Sequence, residues 1–125
     1  VGAENPSVEA LLEAARATLH GTTSMPVARR ARASAVLARA ALEQIIDVRL
    51  ARLEAELGGA GSVAASGRVK LVCLRALGGP GAARAAWAWS ALSSACHHHS
   101  YELAPSVGEI EGLVAEVTAL AAESR

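Results

Sequence analysis

Phenylalanine is missing from this chain of 125 residues, and aromatics make up only 2% of it. Strands favour aromatic and β-branched residues, so the composition argues against a sandwich or a barrel. The core has to come from Ala, Leu and Val, which suit close helix packing. Cysteine is also scarce. Cys73 and Cys96 fall inside apolar helical patterns, at the spacing of neither a metal knuckle nor a redox pair, and both are expected to be reduced core residues. Long apolar runs are lacking as well. The longest uncharged stretch, Ala85 to Tyr101, holds three His and four Ser, which does not describe a membrane span. No charged and apolar signal segment opens the sequence, so a cytoplasmic protein with no membrane partner is expected. Net charge is absent too: twelve basic residues cancel twelve acidic ones. Overall charge therefore points to no polyanion, membrane surface or acidic ligand.

What is present is a 52% apolar content, enough to fill one core at a size where folding hides about two-thirds of the unfolded surface. Disorder is excluded, and a single domain over residues 1–125 is expected. Charge is segregated along the chain. Arg16, Arg29, Arg30, Arg32 and Arg39 fall between Ala14 and Leu42 without one acid, whereas five Glu follow Tyr101 against Arg125 alone. This layout fits a cationic face that attracts a polyanion; it also fits acidic and basic helices that cancel side by side.

Helical periodicity accounts for nearly all of the chain. Asn5-Pro6 reads as the cap and first position of a helix carrying Val8, Leu11, Leu12, Ala15 and Leu19, stopped by Gly21. A second helix begins near Ser24 and Pro26 and meets no breaker until Gly58-Gly59, so it should be roughly 45 to 50 Å long and overhang a small bundle unless it kinks or supports a partner chain. A Gly, Ala and Ser linker spans about 58–67. A short third helix, about Ser66 to Leu77, presents Val69, Val72, Leu74 and Leu77. A fourth runs from about Ala82 to His99 or Leu103, with Ala85, Trp89, Leu92, Cys96, His99 and Leu103 on one stripe. Pro105 ends it. Ser106 and Glu109 form a capping box ahead of Ile110, Leu113, Val114, Val117 and Leu120. The expected fold class is all-α, an antiparallel bundle of four to five helices with one long second helix.

Reactive side chains concentrate in Cys96-His97-His98-His99-Ser100-Tyr101-Glu102. Successive helical residues point about 100° apart, so the three His cannot share one site. A zinc centre needs about four ligands, or three plus water; one turn offers two, and no supporting spacing supplies the rest. Neither metal nor cofactor is expected. Acid–base work is the alternative, since His exchanges protons near neutral pH and an Arg holds phosphate through paired hydrogen bonds. That combination suits metal-free RNA cleavage; the plainer alternative is one core His and two surface ones. Gly58-Gly59-Ala60-Gly61 lacks the strand and the Lys of a phosphate loop, and no G-x-S-x-G elbow occurs. Trp89 belongs to the core stripe, which leaves Trp87 as the ring available to stack on a base.

The string Trp89-Ser90-Ala91-Leu92 through His97-His98-His99-Ser100-Tyr101-Glu102-Leu103-Ala104-Pro105-Ser106, followed by Glu109, resembles a signature of actinobacterial HEPN-type proteins. A looser likeness covers residues 26–117, including Ala41-Leu42-Glu43 on the long helix. The resemblance implies a helical bundle that commonly dimerises. Many such proteins are metal-independent ribonucleases of toxin–antitoxin, anti-phage and RNA-processing systems; others are non-catalytic RNA- or nucleotide-binding modules. The family's catalytic motif places an Arg upstream of the His. For His99 that Arg falls at Ser94, Ser93 or Leu92, for His98 at Ser93, Leu92 or Ala91, and for His97 at Leu92, Ala91 or Ser90. The motif arginine is absent, so enzymatic activity is left open.

The resulting expectation is an RNA- or nucleotide-associated homodimeric module with weak or lost nuclease chemistry. His97, His99 and Tyr101 are the candidate catalytic residues. Arg29, Arg30, Arg32, Arg84 and Trp87 are the candidate substrate contacts. Two alternatives accompany it: an active endoribonuclease completed by an Arg from elsewhere, and a non-catalytic scaffold for an antitoxin or another protein.

Overall fold

The computed structural model describes residues 6–21, 24–56, 67–77, 81–97 and 104–124, and its five helices are packed together with no strand among those residues. The first helix, α1 (Val8–His20), starts two residues later than the Asn5-Pro6 pattern suggests. Ser7 is its cap, and the Ser7 hydroxyl accepts from the Ala10 amide at 3.0 Å. A hydroxyl at that place satisfies an amide that the helix leaves unpaired, which fixes the start at Val8; Asn5 lies outside the described residues. Leu11, Leu12, Ala15 and Leu19 are buried as their spacing requires.

The long helix, α2 (Val27–Glu56), has 30 residues and is therefore about 45 Å long. Its length serves as a spine, because all four other helices pack on it. Burial runs from Ala31 to Leu50 and only the ends project, Val27 being half exposed. α1 lies antiparallel to α2: Gln44 donates to the Pro6 carbonyl at 2.9 Å, Ser34 to the Ala15 carbonyl at 2.7 Å and Arg30 to the Gly21 carbonyl at 2.6 Å.

The last helix, α5 (Val107–Glu123), opens with Ser106 accepting from the Glu109 amide at 3.1 Å, and buries Ile110, Leu113, Val114, Val117 and Leu120 as expected. It runs antiparallel to α1 and hence parallel to α2, and Arg49 and Arg52 hold Ser124 at its far end. On the opposite side of the α2–α5 pair lies α4 (Ala82–Cys96), antiparallel to α2, with Gly81 beside Arg49 at its start and Cys96 near Arg39 and Glu43 at its end. Among the described residues α1 and α4 do not touch, and α3 (Gly67–Leu77) packs on α2 and α4 alone. Gly81 has φ +78°, a left-handed value that favours glycine, and this lets the chain turn into α4.

Three expectations need correction. α3 buries Leu71 and Leu74 and leaves Val69 and Val72 exposed at 50% and 62%; the two leucines bury more apolar surface than the two valines, so the helix turns them inward. The side chain of Leu77 lies outside the described residues. Cys73, on the outward face of α3, is exposed rather than in the core, and Cys96 is only half-buried. Finally, α4 does not continue to His99 or Leu103. It ends at Cys96, where His97 adopts φ −86° and ψ 141° and its amide donates to the Ser94 carbonyl at 3.3 Å. Ser, Cys and His are weaker helix formers than the alanines that begin α4, and the run from Ser93 to Ser100 strings them together.

Candidate functional site

His97 is the one member of the histidine triplet within the described residues; it is exposed and stands where α4 has ended. His99 and Tyr101, with His98 and Glu102, lie outside the described residues. Antiparallel to α2, α4 ends where Cys96 meets Arg39 and Glu43 near the middle of α2; Arg32, Arg30 and Arg29 lie further toward the start of α2, beyond that contact.

The candidate cations differ in what already holds them. Arg29 is exposed and pairs with no carboxylate among the described residues. Arg30 is turned back onto the C-terminal end of α1, donating to Gly21, where a cation meets carbonyls the helix leaves open and the negative end of its dipole. Arg32 is half-buried, and its Nε is enclosed without a hydrogen-bond partner among the described residues. Arg84 is clasped by α5, at 2.6 Å from Glu116 and 2.8 Å from both Glu123 oxygens. Hydrogen bonds to Glu116 and then Glu123 raise its pKa above the ordinary arginine value. Its charge is thus matched by two carboxylates on a neighbouring helix.

Trp87, three residues along α4, is 62% exposed. Trp89 and Ser93, one turn apart on the same helix, each enclose a polar atom, Nε1 and Oγ, with no hydrogen-bond partner among the described residues. Burial pushes the Cys96 thiol up; Arg39 opposes that shift and Glu43 adds to it. No group of three metal-ligating side chains gathers among the described residues, and no described helix is long and apolar enough to cross a membrane.

A hollow that the sequence does not announce lies along the α1–α5 seam. It measures about 340 Å³ and is lined by Arg16, Leu19, His20, Glu111, Val114, Ala115 and Thr118. His20 Nε2 lies 2.9 Å from Glu111 Oε1, and Arg16 donates to the Thr118 hydroxyl at 3.3 Å. Arg16 and His20 are visible in the sequence as an i, i+4 pair on α1. Nothing in the sequence joins them to α5.

Comparison with protein families, with curated proteins and with solved structures gives no match to this chain.

Proposed function

We propose that this chain is a HEPN-like helical module that associates with RNA or nucleotide, with nuclease chemistry weak or lost. The observation that carries the reading is the direction of α4: it ends, with His97, where Cys96 meets Arg39 and Glu43 at the middle of α2, and Arg32 and Arg29 lie further along α2 in the direction in which α4 runs. A phosphate backbone is attracted to arginines that lack carboxylate partners, and Arg29 and Arg32 meet that condition among the described residues whereas Arg84 does not. An exposed Trp87 ring adds a surface on which a base can stack. Cleavage is not part of the reading, since no arginine precedes His97 on its own helix until Arg84, and α5 holds that one. A homodimer in the cytoplasm completes the proposal, consistent with the outward-facing Val72 on α3.

Fluorescence anisotropy with a labelled single-stranded RNA tests it. Binding should weaken as salt rises, with a logarithmic slope of roughly 0.7 per phosphate contact. Arg29→Ala and Arg32→Ala should each flatten that slope, and RNA incubated in EDTA should stay intact. Absence of binding at low salt overturns the reading. Cleavage lost in His97→Ala would instead establish the endoribonuclease. A protein scaffold is the second reading, favoured by the exposure of Trp87 and Val72 on adjoining helices; it predicts no RNA binding and a protein partner, such as an antitoxin, released by Trp87→Ala.

A further inference from the structure

We propose that the α1–α5 seam is a binding site for a small carboxylate with a short apolar body. This site lies on another face from the RNA reading and is independent of it. The hollow exists because Ala115 stands between the larger Glu111 and Thr118 on α5, so the two helices meet through the His20–Glu111 and Arg16–Thr118 contacts at either end. Its floor is apolar: Leu19 and Val114 are 2% and 3% exposed and belong to the core. At about 340 Å³ it falls at the small end of ligand sites, which are typically apolar hollows with a few placed polar groups.

The two ends differ in sign. At one end the Glu111 carboxylate accepts from His20. At the other, Arg16 makes a single long contact to a hydroxyl that itself donates to the Val114 carbonyl at 2.7 Å. A guanidinium has five N–H donors in a planar fork, so Arg16 can turn a pair of them onto a carboxylate. Arg16 pairs with no described carboxylate. The ligand's anionic group belongs at Arg16, with its alkyl portion over Leu19, Val114 and Ala115 and its far end toward Glu111. That orientation excludes a second negative charge at the tail.

Titration of the isotope-labelled protein with butyrate, followed by amide NMR, tests the assignment, with succinate and inorganic phosphate as comparisons. Butyrate should give saturable shifts confined to the α1–α5 seam, with a roughly millimolar Kd. Arg16→Gln, which keeps a good helix former at an exposed position, should weaken binding about tenfold or more. Ala115→Leu should fill the hollow and abolish binding while circular dichroism stays native. Succinate and phosphate should bind more weakly than butyrate. The proposal is overturned by the absence of saturable shifts, by an unchanged affinity in Arg16→Gln, or by phosphate or succinate binding as tightly as butyrate.

Discussion

Along α2 the buried residues change character at Leu42. Before it the inward positions are Ala31, Ser34, Ala35, Ala38 and Ala41, all fully enclosed; from it onward they are Leu42, Ile45, Ile46 and Leu50. The first half brings its neighbours close through small side chains. The Ser34 hydroxyl reaches the Ala15 carbonyl of α1 directly, which only a close approach permits. The second half fills space with branched aliphatics and is tied at its surface by Lys70–Asp47, 2.6 Å, and by Arg49 on Ser124, 2.8 Å. The outer faces differ in turn. With alanine supplying the contact inside, the first half carries arginines outside, and these are the cations on which the RNA reading rests. Apolar volume stabilises one half and proximity the other, so the second half should be sensitive to lost volume and the first to added volume.

The largest effect should come from removing volume where volume matters. Leu42→Ala at a fully buried site should destabilise the fold by about 2 to 5 kcal/mol, the range for cavity-forming core changes. Its mirror image is Ala38→Leu in the first half, expected to cost about 1 to 3 kcal/mol by overpacking. Urea unfolding followed by circular dichroism measures both. If Ala38→Leu is neutral, the α2 neighbours are not closely apposed there and the contrast between the halves disappears. A smaller effect is expected for Ser34→Ala, which removes one buried hydrogen bond and leaves a carbonyl that α1 itself can use. A loss of about 1 kcal/mol would confirm the Ser34–Ala15 contact, and a gain in stability would remove it.

Legibility in the sequence followed the length of the pattern. α5 was readable down to single residues, because a capping serine fixes its start and Ile110, Leu113, Val114, Val117 and Leu120 leave one possible inward face. α3 was not. In 11 residues the valines at 69 and 72 and the leucines at 71 and 74 offer two competing stripes, and only the helices packed against it decide between them. The end of α4 depended on weak helix formers whose competition with the extended state no periodicity reveals. The candidate site divides in the same way. The arginines of α2 and the His turn could be named from the sequence. That Arg84 is claimed by Glu116 and Glu123, or that Arg16 meets Thr118 across a separation of 102 residues, could not, since these contacts arise only when helices distant in sequence are brought side by side.

The smallest expected effect concerns the two thiols, and it probes the boundary between the halves. Cys96 lies at the end of α4 near Arg39 and Glu43, which form an i, i+4 pair at 3.5 Å on α2, while Cys73 is exposed on the outer face of α3. Burial raises the Cys96 pKa, so the folded protein disfavours the thiolate, the form that reacts. In the native protein iodoacetamide at mildly alkaline pH should therefore modify Cys73 several-fold faster than Cys96, and denaturant should remove most of the difference. The raised pKa also fixes the sign of the stability effect. The contribution of Cys96 is complete below the pKa of an unfolded thiol and is lost as pH rises through the higher folded value. Mass spectrometry of the two cysteine peptides over time gives both rates. Equal native rates would mean that the last turn of α4 does not pack on α2 at the point where alanine gives way to leucine, and the spine would then lose its best-placed marker of close approach.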